Sequence, residues 1–411
     1  MITLTTMALS WPTCYLATAQ ALPGLRIQGR VDEKAISSAV SNPRIQTYDL
    51  SPDGSRVALF VASGDLIEAP TWVLIVRAND STIVSKTRFG TARLGVQGYG
   101  PQVAFTPDGK LLVVQDTQTV SVLETTSLTK VRTIVPVHED KLNVPVRIVT
   151  ASKSNTVAIS FGTGERVLNY HDKRPVRTEM VDVSTGQAVA SWESDDIPFS
   201  ISPHADLVAA SDHSGAAAVM GVAILDANSG RKIATLFGGY DAYTKDLAFH
   251  KFPTAIVGKF ISDEDLMLTP DGNVALKDHA GHDVEGSLKI VRFRDDQVLQ
   301  EVNPPQYGPT GEIAVSADQK NLITMSKYLA PTYFRHPHWR IPKDSVPKLI
   351  VLSNQRELRV DTVMQMPQVS GLRTFTLYDL GGLRIAADGS CISVAEDHGI
   401  TILTRENQAK N

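Results

Sequence analysis

Cysteine is scarce in this chain: among 411 residues, Cys14 and Cys391 are the two thiols. Cys14 lies in a segment that we interpret below as a cleaved leader, so the mature monomer can form no disulfide. A single buried thiol is more often a small hydrophobic side chain than a nucleophile. We therefore expect Cys391 to be buried on an inner strand, without a catalytic role.

An excess of charge of either sign is also missing. The formal net charge is −4, and charged residues make up 20% of the chain. This balance excludes the basic field of a nucleic-acid-binding protein, and also an acidic tail. Hydrophobic residues make up 42%, which argues against intrinsic disorder. No stretch approaches the roughly 18 consecutive apolar residues of a transmembrane helix, so none is expected.

The sequence also lacks the usual catalytic motifs. It has no G-x-S-x-G nucleophile elbow, no P-loop and no G-x-G-x-x-G segment after a predicted strand. The metal-binding motifs HExxH and CxxC are missing as well. Nucleophilic catalysis and phosphate binding by a glycine-rich loop therefore have no support, and a non-enzymatic function is favoured.

A tight turn between two apolar segments is present, and it recurs. In its first copy, Ser51-Pro52-Asp53-Gly54, the proline presets φ, the aspartate can bond to its own backbone, and the glycine accepts a positive φ. The flanking segments are rich in Val, Leu and Phe and have strand character. Further copies begin near residues 105, 150, 201, 268, 315 and 386.

The spacing of these seven copies predicts the fold. Successive copies are 45 to 71 residues apart, and periods of about 40–50 residues, lengthened by loop insertions, are typical of propeller blades. We predict an all-β chain, a seven-bladed β-propeller of four-stranded antiparallel blades that spans residues 22–411. The copy near residue 150 is degenerate, which leaves the blade count open at the third blade.

The predicted strands of the fifth and seventh blades need separate description. The turn after residue 268 predicts fifth-blade strands at 264–268, 273–277, 287–293 and 297–302. The seventh blade supplies strands at 380–386, 391–395 and 399–404, after which the chain nearly ends. We expect residues 25–31 to supply its fourth strand, because closure by the opposite terminus removes unpaired strand edges.

The N-terminal segment has features of a secretory signal peptide. Residues 9–17 could serve as the short hydrophobic region of such a peptide, residues 19–21 (Ala-Gln-Ala) match a cleavage pattern, and the first charged side chain is Arg26. The region before residue 8 carries no Lys or Arg, and Pro12 interrupts the apolar run, so a disordered leader is the alternative. We predict a signal peptide over residues 1–21 and a secreted or periplasmic location.

Residues 208–215, followed by 222–231, carry the clearest family pattern. They read as a second strand, a turn, a third strand and a terminal aspartate, Asp226; Asp182 holds the equivalent position one blade earlier. This pattern resembles the WD-repeat and YVTN-type propellers, across essentially the whole mature chain. No blade ends on the tryptophan of a WD repeat, and none opens on its Gly-His dipeptide. The resemblance therefore implies the architecture, with turns typical of the bacterial, often extracytoplasmic, branch, and not a particular function.

The long insertions fall on one face of the predicted ring. Strands alternate direction within a blade, so second-to-third connections and blade-to-blade connections leave the same face. The long segments are 162–176, 278–286 and 327–346 of the first kind, and 89–100, 136–144, 238–263 and 364–379 of the second. Long loops on one face of a rigid scaffold are where binding sites are usually built.

Three of these loops hold aromatic and basic side chains suited to recognition. Aromatic residues and arginine predominate at interface hot spots and on sugar or peptide platforms. The predicted binding residues are Tyr333, Phe334, Arg335, His336, His338, Trp339, Arg340, Tyr170, His171, Arg174, Tyr240 and Tyr243. For loop 327–346, a lid that packs on its own blade and plugs the channel is an equal alternative. The expected partner is a protein, peptide or glycan, bound by a monomer.

The densest cluster of metal-ligand side chains is in residues 278–285. His279, His282 and Asp283, with Asp278 beside them, could bind a divalent ion such as zinc or manganese. Asp-His pairs recur at 212–213, 278–279 and 397–398, where the repeat itself favours aspartate for turn geometry. We therefore expect a solvated polar loop and no cofactor, with a metal site as the alternative.

Taken together, these patterns predict a secreted or periplasmic recognition scaffold without enzymatic activity. The alternative is an extracytoplasmic propeller enzyme, such as a lactonase-like hydrolase or a quinoprotein-associated subunit, with a metal or redox site at the channel mouth. A third reading is an assembly subunit whose loop-rich face docks a membrane complex. A bound metal would favour the enzyme.

Overall fold

The computed structural model contains seven four-stranded antiparallel sheets and one two-stranded hairpin among its described residues. The structure describes residues 24–64, 68–93, 100–116, 118–137, 142–163, 175–212, 221–236, 256–270, 276–277, 283–284, 288–295, 297–302, 310–326, 348–354, 358–365, 382–396 and 399–405. The sheets are the blades of a propeller, so the predicted all-β, seven-bladed fold is confirmed.

The described chain begins with the strand β1 (Leu25–Asp32) and the short helix α1 (Glu33–Ile36). Blade 1 consists of β2 (Pro43–Leu50), β3 (Arg56–Ser63), β4 (Glu68–Arg77) and β5 (Ile83–Arg93). Blade 2 consists of β6 (Gln102–Phe105), β7 (Leu111–Gln115), β8 (Val120–Glu124) and β9 (Lys130–Ile134). Blade 3 consists of β10 (Val144–Thr150), β11 (Thr156–Gly162), β12 (Val176–Asp182) and β13 (Gln187–Ser194). The third blade is therefore a true blade, despite its degenerate turn.

Blade 4 consists of β14 (Ile197–Ile201), β15 (Leu207–Asp212), β16 (Gly221–Asp226) and β17 (Lys232–Leu236). Blade 5 consists of β18 (Ile256–Phe260), β19 (Asp265–Pro270), β22 (Leu288–Arg292) and β23 (Gln297–Val302), with the hairpin β20 (Leu276–Lys277) and β21 (Asp283–Val284) between its second and third strands. Blade 6 consists of β24 (Thr310–Val315), β25 (Asn321–Ser326), β26 (Lys348–Asn354) and β27 (Leu358–Gln365). Blade 7 consists of β28 (Leu383–Ile385), β29 (Cys391–Glu396), β30 (Gly399–Arg405) and β1.

The outer strand of blade 7 is β1, as the sequence predicts. It pairs antiparallel with β30, from Leu25 opposite Arg405 to Asp32 opposite Gly399. Asp32 then caps α1 by accepting a hydrogen bond from the Ala35 amide at 2.8 Å. The two ends of the described chain therefore meet in one blade and close the ring, which leaves no open edge between the first and last blades.

The turns between first and second strands of blades 1, 2, 4 and 6 share one hydrogen-bond scheme. In blade 1 the Ser51 hydroxyl donates to Asp53 at 2.6 Å and accepts from the Arg56 amide at 2.9 Å, while Gly54 adopts a φ of +70°. Blades 2, 4 and 6 place Thr106, Ser202 and Ser316 in the position of Ser51, and each hydroxyl accepts the amide five residues on. The hydroxyl residue is thus a constant element of these turns, beside the aspartate and glycine visible in the sequence.

The first-to-second turns of neighbouring blades are also joined to one another by backbone hydrogen bonds. The Ala387 amide of blade 7 donates to the Pro52 carbonyl of blade 1 at 2.7 Å, and the Asp318 amide of blade 6 donates to the Ala387 carbonyl at 3.3 Å. In blade 3 the Lys153 amide donates to the Pro203 carbonyl of blade 4 at 3.0 Å. Backbone groups of these turns are therefore used to join blades, which restricts the turns to short, well-defined conformations.

The structure corrects the strand assignment in blade 5. In the segment predicted as its first strand, 264–268, residues 265–268 belong to the second strand, β19, and Thr269 and Pro270 end that strand. The first-to-second turn is instead 261–264, where the Ser262 hydroxyl accepts hydrogen bonds from the amides of Glu264 and Asp265 at 3.1 and 2.9 Å. The prediction was wrong because a serine-based turn needs neither proline nor glycine, whereas a Thr-Pro-Asp-Gly segment also follows a second strand here.

The corrected strand assignment of blade 5 also overturns two neighbouring predictions. Residues 273–277, predicted as a second strand, contribute β20, in which Leu276 and Lys277 pair with Val284 and Asp283. The predicted blade-to-blade loop 238–263 includes β18 and the turn after it. The connections of this blade are therefore 237–255 before β18 and 271–287 between β19 and β22.

The hydrophobic core lies between the faces of neighbouring blades. One cluster joins Phe60 and Ile75 of blade 1 to Phe105 and Leu112 of blade 2, and the others likewise combine residues of adjacent sheets. Second strands such as β3 are buried along most of their length and so read as continuous apolar runs, whereas the outer strands β9 and β17 are mostly exposed and bury their last residue. No helix among the described residues is long and apolar enough to cross a membrane.

Candidate functional site

The first strands of all seven blades line one cavity on the ring axis. It has a volume of about 230 Å³, and residues from β2, β6, β10, β14, β18, β24 and β28 form its wall. The wall residues with polar or charged side chains include Asp49, Gln102, Arg147, Ser200, Lys259 and Arg384. This channel is a polar cavity formed by described residues of all seven blades.

Several of these side chains join one inner strand to the next. Asp49 accepts a hydrogen bond from the Phe105 amide at 2.8 Å, and the Gln102 side-chain oxygen accepts one from the Ile148 amide at 2.7 Å. The Ser200 hydroxyl accepts one from the Phe260 amide at 3.0 Å. Inner strands of different blades are not paired with each other, so their facing amides need side-chain acceptors.

Asp49 also forms an ion pair with Arg384 across the closure of the ring. The Arg384 Nε donates to Asp49 Oδ1 at 2.9 Å, and the guanidinium lies 5.5 Å from the centre of the Tyr48 ring. The Tyr48 hydroxyl donates to the Gly382 carbonyl at 2.9 Å. Burial raises the pKa of the Asp49 carboxyl, against the opposing effects of Arg384 and of two backbone amides.

Two further cations face the same space. The Arg147 side chain is 6% exposed and Lys259 is partly exposed to the channel. Burial, followed by repulsion from Arg384 and Arg147, lowers the pKa of Lys259 to about 8, and only Asp49 acts in the opposite direction. No described residue makes a hydrogen bond or an ion pair with the Lys259 ammonium. The channel therefore carries more positive than negative charge.

A buried ion pair lies at the start of β12 in blade 3, at the end of the ring from which the second-to-third connections leave. Arg177 Nε donates to Glu179 Oε1 at 3.1 Å, and the two side chains are 1% and 0% exposed. The same carboxylate oxygen accepts the Val137 amide at 2.9 Å, and Arg177 also donates to the Leu142 carbonyl. Val137 and Leu142 belong to the connection between blades 2 and 3, so this pair fixes both ends of that connection to blade 3.

The recognition residues predicted from the sequence lie outside the described residues. These are Tyr333, Phe334, Arg335, His336, His338, Trp339, Arg340, Tyr170, His171, Arg174, Tyr240 and Tyr243. Of the predicted metal ligands, His279 and His282 also lie outside, whereas the backbone of Asp283 belongs to β21. Within the described ranges, no group of three or more His, Cys, Asp or Glu residues could hold a metal ion.

The channel residues were not found from the sequence, although a signal for them exists. Each cation interrupts an otherwise apolar or small first strand, as in Val146-Arg147-Ile148, Gly258-Lys259-Phe260 and Leu383-Arg384-Ile385. Asp49 stands in the same way between Tyr48 and Leu50. These four charges point to the ring axis, because the positions beside them are mostly buried between blades.

Comparison with known proteins rests on structure, since no protein-family model and no curated protein matches the sequence. A chain of the mitotic checkpoint complex is similar at 13% identity and a TM-score of 0.50, over 98% of this chain and 99% of that chain. A chain of hydrazine synthase from Kuenenia stuttgartiensis is similar at 16% identity and a TM-score of 0.50, over 89% and 96%. The C-terminal WD40 domain of Sif2 is 11% identical over 93% and 99%, with a TM-score of 0.49.

At these identities the similarity shows the fold alone. It agrees with the seven four-stranded sheets of the ring. The chain resembles the WD-repeat propellers in its architecture, and it is a seven-bladed β-propeller.

Proposed function

We propose that the protein is a secreted or periplasmic, non-enzymatic recognition scaffold that binds a protein, peptide or glycan. The binding surface is the face from which second-to-third and blade-to-blade connections leave, called the long-connection face below. One observation supports the proposal most, the unequal length of the connections. Blade 1 has first-to-second and third-to-fourth turns at 51–55 and 78–82, whereas second-to-third connections span 163–175, 271–287 and 327–347 in blades 3, 5 and 6.

A rigid ring under long connections suits recognition. The short-turn face is held by turn-to-turn hydrogen bonds, and side chains such as Asp49 and Gln102 join the inner strands. At blade 3, Arg177 and Glu179 hold the 135–143 connection from below. A preorganised scaffold lowers the entropy lost on binding, since the strands below the binding residues do not have to be ordered.

The chemistry of the long connections supplies the second argument. The 327–347 connection contains Trp339 and Arg335 among its aromatic and basic residues, and Tyr170 lies in the 163–175 connection. Tyrosine, tryptophan and arginine are the side chains most often responsible for binding energy at interfaces. A protein, peptide or glycan offers the apolar, polar and anionic groups that such side chains contact.

The proposal is tested with a phage-displayed peptide library and a glycan array. The loop variant carries alanine at Arg335, His336, Trp339 and Arg340, and the control variant carries alanine at the exposed turn residues Lys110, Lys153 and Lys320. Ligands selected on the wild-type protein should bind the control with unchanged Kd and lose about tenfold or more in affinity for the loop variant. Equal binding to both variants, or no selection by either library, contradicts the proposal.

Metal analysis separates the scaffold from the enzyme alternative. The enzyme reading depends on Asp278, His279, His282 and Asp283, whose side chains lie outside the described residues. Elemental analysis of the purified protein should find less than one equivalent of zinc or manganese. A stoichiometric metal that is lost in a His279→Ala, His282→Ala double variant would favour the enzyme.

The location is tested at the N-terminus. If residues 1–21 form a signal peptide, N-terminal sequencing of the exported protein should begin at Leu22. Replacement of Ala19 and Ala21 by bulky residues should block processing. A mature protein that retains residues 1–21 would contradict this part of the proposal.

A further inference from the structure

We infer that the central channel is a binding site for a small oxyanion of about two negative charges, with Lys259 as its main contact. The ligand class is that of phosphate, sulfate or a compact dicarboxylate. This inference goes beyond the recognition function proposed above and does not depend on it, because it concerns the ring axis rather than the long connections.

The first argument is the charge on the channel wall. Lys259 from β18, Arg147 from β10 and Arg384 from β28 line the same cavity, and Asp49 from β2 is the one carboxylate among the described wall residues. With these groups ionised, the wall carries a net charge of +2. Charges in a narrow, partly dehydrated space interact more strongly than in bulk water, so the excess of positive charge favours entry of an anion.

The second argument is the state of the individual cations. Arg384 is paired with Asp49 at 2.9 Å and also donates to the Leu383 carbonyl at 2.9 Å. Lys259, by contrast, has no hydrogen-bond acceptor among the described residues, although it lies in the wall of the cavity. A cation that is partly removed from water and has no hydrogen-bond acceptor is costly, and an anion that accepts its hydrogen bonds removes that cost.

The other polar groups of the wall leave the position open for a ligand. Gln102 and Ser200 use their side-chain oxygens to accept the amides of Ile148 and Phe260. The Ser200 hydroxyl hydrogen remains able to donate to an oxyanion. The cavity of about 230 Å³ has room for one compact tetrahedral or planar oxyanion with water, but not for a large cofactor.

The protonation state of Lys259 also supports an anion-binding site in the channel. Its pKa of about 8 reflects burial and the repulsion from Arg384 and Arg147, partly offset by Asp49. At pH 7 the ammonium form predominates, and an anion beside it would raise this pKa again. The charged groups that act on Lys259 are Arg147, Arg384 and Asp49. Because Lys259 loses its proton as the pH rises above 8, the affinity of the channel for an anion should fall over that range.

The experiment is isothermal titration calorimetry of the full-length protein with sodium phosphate, sodium sulfate and sodium malonate, at pH 7.0 and constant chloride ionic strength. The test variant is Lys259→Met, and the matched control is Lys130→Met, which removes an exposed ammonium from the outer strand β9. A third variant, Lys259→Arg, retains the charge. Thermal unfolding of each variant without added anion reports whether it is folded.

We expect one site per chain, a loss of about tenfold or more in affinity in Lys259→Met, and no change in Lys130→Met. Lys259→Arg should retain binding, and wild-type affinity should decrease between pH 7 and pH 9. Selective binding of phosphate or of malonate identifies which source of oxyanion the site accepts. The inference is overturned if no anion binds with defined stoichiometry, or if Lys259→Met binds like the wild type, which would indicate an adventitious ion only.

Discussion

Asp49 and Arg384 are 335 residues apart in the sequence and form an ion pair of 2.9 Å on the channel wall. Asp49 belongs to the first blade and Arg384 to the last, so this contact crosses the closure of the ring. The carboxylate also accepts the Phe105 amide of the second blade at 2.8 Å. One side chain therefore links the inner strands of three consecutive blades, and it is also the negative charge that offsets the channel cations.

Disruption of this pair should destabilise the ring. Asp49→Ala leaves Arg384 without its counter-charge beside Lys259 and leaves the Phe105 amide without an acceptor. We expect a loss of about 2–3 kcal/mol in the free energy of unfolding, measured by urea denaturation. In a double-mutant cycle with Arg384→Met, the coupling energy should be about 1 kcal/mol or more.

Additive effects in that cycle would contradict the role given to the pair. The salt bridge between Arg77 and Asp80 provides the control, since its side chains are 51% and 44% exposed at a distance of 2.9 Å. Exposed pairs contribute little, so its coupling energy should be close to zero.

Two turn glycines differ in what surrounds them, and this difference is measurable. Gly54 and Gly109 adopt φ values of +70° and +68°. A Cβ at Gly54 would lie 2.5 Å from the Cβ of Cys391 in blade 7, whereas at Gly109 the nearest atom is the Cδ of Pro52 at 3.5 Å. Gly109→Ala should therefore cost about 1–2 kcal/mol through its backbone conformation alone.

Gly54→Ala should cost about 1–3 kcal/mol more, because the contact between blades 1 and 7 must open. Thermal unfolding of the two variants side by side checks this order. A smaller effect at Gly54 than at Gly109 would mean that the two turns do not pack as described.

Much of the fold was accessible from the sequence because the turn that joins first and second strands has a distinctive composition. Pro52, Asp53 and Gly54 mark it in blade 1, and its copies led to the seven blades and to the closing strand. The turn pattern misplaces the strands of blade 5, because turn 261–264 relies on Ser262 and Thr-Pro-Asp-Gly occurs there after a second strand. Local composition describes a turn, but it does not say which two strands the turn joins.

Lys259 should make the stability of the protein depend on alkaline pH. Its pKa is about 8 in the folded chain, against 10.5 for an unperturbed lysine. The unfolded chain therefore binds more protons between these values, and the free energy of unfolding gains a contribution that rises from pH 8 to pH 10.5. A substitution that removes the Lys259 ammonium should therefore increase the free energy of unfolding already at neutral pH.

We expect Lys259→Met to increase the free energy of unfolding at pH 7, in a buffer without multivalent anions, by on the order of 1–2 kcal/mol. The difference from the wild type should shrink as the pH rises and vanish well above pH 10.5, where the lysine is neutral in both the folded and the unfolded chain. Lys130→Met, with its ammonium in solvent, should show no such trend. Destabilisation by Lys259→Met at pH 7 would contradict the unpaired charge.

Closure of the ring by β1 can be followed through the thiol of Cys391. This side chain is 4% exposed, and burial raises its pKa to about 11. In a Cys14→Ser background, a thiol reagent at pH 8 should therefore react only as fast as blade 7 opens. Deletion of residues 22–35 removes β1 and should accelerate this reaction and lower the Tm by about 5 °C or more.

Removal of residues 406–411, which follow β30, is the matched control for that deletion and should leave both readouts unchanged. Equal reactivity with and without residues 22–35 would show that β1 does not protect blade 7.

The two candidate sites differ in how visible they are in the sequence. Aromatic and basic loop residues such as Trp339 and Arg335 attract notice because their composition is unusual. The channel charges are single residues within apolar strands, and Arg147, Lys259 and Arg384 are 112 and 125 residues apart in sequence. Only the ring brings them together, so their combined charge could not be recognised before the strands were placed on one axis.

Hydrogen exchange with a selected peptide or glycan ligand tests the central claim most directly. If the long-connection face is the recognition surface, bound ligand should slow amide exchange in 163–175, 237–255 and 327–347. Exchange in the turns 51–55, 106–110 and 316–320 on the opposite face should remain unchanged. Protection confined to those turns, with none in the long connections, would contradict the account.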